Sequence, residues 1–353
     1  MLIMAGGTGG HVFPGLAVAR RLRALQIPVA WLGTREGLEA RLVPAHAPDV
    51  EMEWITIRGV RGKGVVGWAL LPWRLARAMW QALNVMRRRR PQAVLSLGGF
   101  VAGPGGLIAW VARIPLLIHE QNSIPGMTNK WLALLADRVL TGFPVALGTA
   151  ARHVGNPVRA EIAHLPAPAE RLKGRNGPLR LLVVGGSQGA RALNDVVPRA
   201  VRALRPHVAI EVWHQCGRDV APAVEQAYGD VPARVAAFID DMAGAYAWAD
   251  VVLCRSGAMT VAELAAAGVA AILVPFPAAV DDHQTANARF LVERGGAILL
   301  PQKDLTVERV AEVLESLASN REVLGRMAAA SRACGIADAD ETVARLCVEA
   351  MHA

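Results

Sequence analysis

The sequence predicts an α/β protein made of two Rossmann-like domains, each a doubly wound parallel sheet, facing each other across a cleft. Three observations predict this. Short apolar runs alternate with helix-patterned stretches, so successive strands need helical crossovers and pair in parallel. That rhythm stops in a proline-rich stretch, Gly155 to Glu170, and then restarts. Each half opens with an apolar strand running into glycines, "GGTGG" at Gly6 to Gly10 and "GGSQG" at Gly185 to Gly189.

In the first half the strands read "LIMA", "VAWLG", "AVLSLGG", "LLIHEQ" and "DRVLTGF", with "FPGLAVARRLRAL" as the first crossover helix. In the second they read "LRLLVV", "AIEVWHQCG", "RVAAFI", "DVVLC" and "AAILVPF". A chain of 353 residues with 53% apolar content can fill two cores. The domains are expected over residues 1–155 and 156–335, with ligands in the cleft beyond the carboxyl ends of the strands.

Composition narrows the function classes. Cys216, Cys254, Cys334 and Cys347 lie far apart, without CxxC or metal-ligand spacing, so neither a zinc site nor a disulfide framework is indicated, and a reducing compartment is expected. "MLIM" lacks the basic and apolar segments of a signal peptide. The uncharged run Leu264 to Val280 falls short of the roughly 20 residues of a spanning helix and contains Gly268, Pro275 and Pro277. A net charge of +8, with "RRRR" at Arg87 to Arg90 and Arg58, Arg61, Lys63, Arg74 and Arg77 upstream, suits polyanions or forms a solvated basic face. No nucleic-acid-binding motif accompanies it, so nucleic acid is not an expected partner.

The glycine loops can present backbone N–H groups to an anion, or can serve only the tight packing of helix on strand. After Gly7 and Gly9 the third glycine of GxGxxG is replaced by Val12, and Thr34 and Arg35 follow the second strand where an acidic residue would hold a ribose. Dinucleotide binding is therefore disfavoured, and no P-loop string is present. "RSGAMTVAELAAAG", Arg255 to Gly268, predicts a helix capped by Ser256 and stopped by Gly268, with an uncharged first turn suited to a diphosphate. Glu263, two turns along, is placed to accept from vicinal ribose hydroxyls or is merely exposed. Asp281, Asp282, His283, Gln284 and Asn287 crowd a loop that suits sugar hydroxyls, or the aspartates only cap the next helix.

"GGTGGHVFPGLAVA", "WLGT", "RGKG", "GGFVAGPGG", "HEQNSIPGMTNKWLA", "GNPVR", "VVGGSQGAR", "FIDDMAGAYAWADVVLCRSGAMTVAELAAAG" and "DDHQTANA" follow one another across nearly the whole chain. In that order they closely resemble the MurG family of bacterial glycosyltransferases. The resemblance implies a GT-B architecture whose C-terminal helix, about residues 336–353, packs back on the first domain. It implies transfer of N-acetylglucosamine from UDP-N-acetylglucosamine to undecaprenyl-pyrophosphoryl-N-acetylmuramoyl-pentapeptide (lipid I), giving lipid II for peptidoglycan. The family's nucleotide-sugar contacts fall on Thr8, Gly9, Gly10, Asn122, Arg159, Ser187 and Ile239. They fall also on Ala258, Met259, Thr260, Val261, Ala262 and Glu263, and on Gln284. Phe100 stands where the family commonly has tyrosine, so a phenol hydroxyl is not expected to carry a proton here.

Transfer with inversion needs a base for the acceptor hydroxyl. His11 is a candidate, or it only orients a phosphate or acceptor group; His119 and Glu120 of "HEQN" are rivals, unless that loop only shapes the cleft. No cofactor or metal is expected: "DAD" at Asp338 to Asp340 lies far from every nucleotide signal, and helix dipoles with Arg159 would carry the diphosphate charge. The stretch Gly64 to Arg90, with Trp68, Trp73 and Trp80 among arginines, suits docking on an anionic membrane surface. The expectation is a peripheral enzyme on the cytoplasmic face of the inner membrane, in company with cell-wall synthesis proteins. The rival readings are a UDP-sugar epimerase and a membrane- or nucleic-acid-binding module.

Overall fold

The computed structural model describes residues 1–57, 71–148, 151–186 and 189–352. Arg58, Arg61, Lys63, Trp68 and Ser187 lie outside the described residues. The chain divides into two compact units, Met1–Arg159 together with Asp338–Ala353, and Ala160–Ala337.

In the first unit β1 (Leu2–Ala5), β2 (Ala30–Gly33), β3 (Glu51–Trp54), β4 (Val94–Gly98), β5 (Leu116–Glu120), β6 (Arg138–Thr141) and β7 (Ala151–His153) form one sheet in the order 3-2-1-4-5-6-7. Every pairing is parallel. The two-residue side-chain period sorts the sheet into two faces. Ile3, Leu95 and Leu97 pack with Val12, Leu16 and Leu22 of the helix Gly9–Ala24. Leu2, Met4 and Val94 pack on the other side with Ala82 and Val85 of the helix Leu71–Arg89 and Ile108 of the helix Ala102–Val111.

The helix Ala339–Met351 joins this unit by burying Val343, Leu346 and Cys347 against the first of those faces. Asp340 of the "DAD" string anchors it, accepting from Arg21 Nε at 2.7 Å. The segment after Gly155 also stays with the first unit, because Asn156 donates to the Gln121 carbonyl at 3.1 Å and the Arg159 guanidinium stacks on Phe13.

The second unit repeats the plan. Strands β8 (Leu179–Val184), β9 (Ile210–Gln215), β10 (Ala233–Ala236), β11 (Val251–Cys254), β12 (Ala270–Leu273) and β13 (Ala297–Leu299) run in the order 10-9-8-11-12-13, all parallel. In both sheets the first strand is flanked by the second on one side and the fourth on the other. The topological switch point therefore lies at the glycine loop that follows it.

Candidate active site

The first glycine loop leaves β1 at a buried Gly6 and enters the helix Gly9–Ala24 through Thr8, an extended N-cap without a side-chain cap bond. Glu39, fully buried, braces it. Its Oε2 accepts from the Gly7 amide at 3.0 Å, and its Oε1 accepts from the amide and hydroxyl of Thr34, each at 2.8 Å. A buried carboxylate persists only where hydrogen bonds replace lost water. Gly99 closes the loop from the other side: at φ +85° its missing Cβ would lie 2.2 Å from the Gly6 carbonyl oxygen. Neither Glu39 nor Gly99 is among the site residues expected from sequence.

His11 sits in the first turn of that helix, half-buried, beside Gly98, whose absent Cβ would come within 3.0 Å of the imidazole. Its Nδ1 is 3.0 Å from Gln121 Oε1. Gln121 Nε2 in turn lies 3.2 Å from His119 Nδ1 and 3.1 Å from the His119 carbonyl, while His119 Nε2 lies 2.9 Å from the Gly155 carbonyl. Burial pushes His119 down to about 4, so it is neutral near pH 7.

Glu120 is also buried, and both its oxygens are engaged. Oε1 accepts from the amide and side chain of Asn122 at 2.9 and 3.2 Å, and Oε2 accepts from the Gly126 amide at 3.0 Å and Asn129 Nδ2 at 2.8 Å. These four bonds shape the loop that carries Asn122. Thr8, Gly9, Gly10, His11, Glu120, Asn122 and Arg159 all belong to the first unit.

In the second unit the loop after β8 is braced by a neutral group. Gln215 Oε1 accepts from the Gly186 amide at 2.9 Å, and Gln215 Nε2 donates to the carbonyls of Gly186 and Ala237, each at 3.0 Å. The helix Ala258–Ala267 starts from Gly257, an extended N-cap without a side-chain bond, and ends at Gly268 with φ +63°. The expectation that Ser256 caps it is corrected: Ser256 is fully buried, and its hydroxyl has no hydrogen-bond partner among the described residues. The cap falls one residue later because the backbone turns extended at Gly257. Asn287 donates to the Ser256 carbonyl at 3.2 Å, which brings the "DDHQTANA" helix, His283–Val292, to the same place.

Glu263 is 9% exposed and accepts from the Tyr246 hydroxyl at 3.1 Å, so it is an oriented carboxylate rather than a loose surface one. Tyr246, a partner the sequence reading missed, is one of only two tyrosines in the chain. Asp241 caps the helix Met242–Trp248 that presents it, accepting from Gly244 N at 2.8 Å, with Ile239 buried just before. Gln284 Oε1 accepts from the Phe276 amide at 2.9 Å, and Arg255 stacks over the Phe276 ring. Arg171, whose pKa burial lowers to about 10, donates to the carbonyls of Tyr246, Ala249, Ala267 and Gly268 and so ties down the far ends of both helices.

The first unit carries exposed apolar side chains on three helices: Trp73 and Trp80 on Leu71–Arg89, Trp110 and Val111 on Ala102–Val111, and Met127 and Trp131 on Met127–Leu132. The four-arginine run contributes less free charge than its sequence suggests. Arg88 and Arg89 pair with Glu53 on β3, and Arg89 also pairs with Glu51. Burial alone would raise the Glu53 pKa, but the hydrogen bonds from Arg88 and Arg89 hold it below the ordinary carboxylate range. No helix among the described residues is long and apolar enough to cross a membrane, and no three His, Cys, Asp or Glu side chains among them gather as a metal site would require.

Residues 1–141 match the glycosyltransferase family 28 N-terminal domain, and residues 180–343 match the family's C-terminal domain. The chain is 54% identical over 352 residues to the UDP-N-acetylglucosamine--N-acetylmuramyl-(pentapeptide) pyrophosphoryl-undecaprenol N-acetylglucosamine transferase of Alkalilimnicola ehrlichii, covering 99% of this chain and 98% of that one. It is 53% identical over 353 residues to the protein of the same name from Nitrosococcus oceani, again covering 99% and 98%. Among solved structures, MurG of Acinetobacter baumannii superposes with a TM-score of 0.84 at 40% identity, covering 99% of both chains. With both domain types matched in order and the likeness running end to end, this chain belongs to the MurG family within glycosyltransferase family 28.

Proposed function

We propose that this chain transfers N-acetylglucosamine from UDP-N-acetylglucosamine to undecaprenyl-pyrophosphoryl-N-acetylmuramoyl-pentapeptide, with inversion at the anomeric carbon and formation of a β-1,4 linkage. The observation that carries the reading is the full-length identity of 54% to a transferase named for that reaction. The second unit supplies the donor site. The uncharged first turn of the helix Ala258–Ala267, with the Ser256 hydroxyl, unpartnered among the described residues, beside it, suits the diphosphate, and Glu263, oriented by Tyr246, suits the ribose hydroxyls. Gln284 serves the sugar. Backbone dipoles and the Arg159 guanidinium offset the charge on departing UDP, so the reaction needs no divalent metal.

His11 is the base. The 4-hydroxyl of the muramoyl sugar loses its proton to imidazole Nε2 as its oxygen forms the bond to the anomeric carbon. The bond from that carbon to the β-phosphate oxygen breaks, and UDP departs with the electron pair. His11 is favoured over Glu120, whose oxygens already hold four donors, and over His119, which is fully buried. The exposed tryptophans with neighbouring Arg74, Arg77 and Lys130 suit an anionic membrane face where the lipid acceptor resides, with the chain on the cytoplasmic side.

The test is release of UDP by the purified protein with and without lipid-linked acceptor. Acceptor-dependent release that survives EDTA is expected. Formation of an epimer of the sugar nucleotide without acceptor would replace the transferase reading with the epimerase one, and a strict need for added divalent cation would remove metal independence.

A further inference from the structure

We infer that Gln121 and His119 are positioning residues that fix the proton of neutral His11 on Nδ1, leaving Nε2 as the nitrogen that accepts. This inference rests on the reading of His11 as the base. Two backbone carbonyls, which can only accept hydrogen bonds, set the proton positions. The Gly155 carbonyl, 2.9 Å from His119 Nε2, requires a proton on that nitrogen. Neutral His119 therefore has a lone pair on Nδ1.

The His119 carbonyl, 3.1 Å from the side-chain nitrogen of Gln121, requires a donor there too. The NH2 group of Gln121 has two hydrogens, one for that carbonyl and one for His119 Nδ1 at 3.2 Å. Its orientation is set twice over, and it cannot flip without facing an oxygen with an oxygen. The other end of the amide, Oε1, then faces His11 Nδ1 at 3.0 Å and can only accept. His11 must donate from Nδ1, and among the described residues its Nε2 makes no hydrogen bond.

The relay is built rigidly. Gln121 and His119 are 1% and 0% exposed, Asn156 donates to the Gln121 carbonyl at 3.1 Å, and Gly98 leaves room for the His11 ring. For metal-bound imidazoles, the group that holds the other ring nitrogen is worth about 10- to 100-fold, and Gln121 makes the same kind of orienting bond to His11. Here the orienting group is a neutral amide, which selects the tautomer without adding the counter-charge a carboxylate would bring.

The experiment is nitrogen NMR of full-length protein labelled with 15N-histidine, with His11 assigned by its loss in His11→Gln, alongside steady-state kinetics. In the unsubstituted protein His11 is expected to show a protonated Nδ1 and an unprotonated Nε2. Gln121→Leu should mix the tautomers and lower kcat by about 10- to 100-fold at unchanged donor KM. Gln121→Glu keeps an acceptor opposite His11 but loses the donor to the His119 carbonyl and Nδ1, so it should hold the proton on Nδ1 without restoring kcat in full. A protonated Nε2 in the unsubstituted protein overturns the inference. So does a Gln121→Leu variant with unchanged tautomer and kcat while His11→Ala is inactive. If His11→Ala itself turns over normally, it is the base assignment that fails, independently of the tautomer signal. Should Gln121→Leu not fold, the unsubstituted spectrum and Gln121→Glu still decide.

Discussion

In the first unit the amide of Gly7 donates to Glu39, a buried carboxylate on the helix after β2; in the second the amide of Gly186 donates to Gln215, a neutral amide at the end of β9. The two glycines have nearly the same backbone angle, φ +89° and +84°, and each follows the switch-point strand of its sheet. A glycine-rich turn is therefore not by itself an anion site. A carboxylate beneath the loop occupies one of its amides and repels a phosphate, whereas an amide side chain carries no net charge and leaves the helix dipole unopposed. The two loops thus share a glycine conformation and differ in the charge of the side chain that braces them.

The largest expected effects come from filling the space behind each loop. Gly99→Ala would set a Cβ 2.2 Å from the Gly6 carbonyl oxygen, and Gly189→Ala one 2.4 Å from the Cys216 carbonyl oxygen, both at left-handed φ. Backbone cannot yield as a flexible side chain can. Each variant is expected to lose about 2 to 4 kcal/mol of stability in denaturant titrations. The functional losses should separate: Gly99→Ala lowers kcat with UDP affinity kept, and Gly189→Ala weakens UDP binding in calorimetry. Equal weakening of UDP binding by both would break the distinction between the loops.

Exchanging the braces sharpens it. Gln215→Glu places a negative charge under the second loop and removes two donated hydrogen bonds. A like charge about 10 Å from a phosphate costs roughly 1.5 kcal/mol at an effective dielectric near 20, so the UDP Kd should rise about tenfold or more. Glu39→Gln keeps an acceptor for Gly7 and Thr34 and should leave the UDP Kd within about twofold, with a modest fall in kcat. A Kd that responds to Glu39 and not to Gln215 would reverse the assignment of the loops.

What the sequence makes legible follows from how each feature is built. The central strands β1, β4, β5, β8, β11 and β12 are covered on both faces and read as apolar runs. The strands passed over were β3 "EMEW", β7 "ARH" and β13 "AIL", all at sheet edges, where one-sided pairing and solvent permit charged residues or very short segments. The glycines and His11 announce themselves because their chemistry is local. Glu39, Gln121, Gln215 and Tyr246 act on atoms of residues 17 to 110 positions away, and a relation of that kind leaves no spacing to read. The excess charge of the arginine run misleads for the same reason, since Glu53 lies on a strand that the pattern does not reveal.

A last expected effect concerns what the two units share. Each buries one neutral histidine: His119 in the relay to His11, and His214 between the Tyr228 hydroxyl at 2.8 Å and the Asn194 side-chain oxygen at 3.1 Å. Burial lowers both pKa values from the ordinary value near 6.5 to about 4. Because the folded value lies below the unfolded one, the unfolded chain takes up protons first as the solution is acidified. The contribution to stability is therefore complete above about pH 6.5 and declines as pH falls toward about 4. Thermal melts across that window should shift downward. His119→Gln and His214→Gln each remove one titrating group while keeping a hydrogen-bonding side chain, so each should flatten part of the decline. The two changes should add, because the residues share no partner. If the decline is unchanged in both variants, it arises elsewhere; if only one variant flattens it, the units differ in acid sensitivity as they do in the charge beneath their loops.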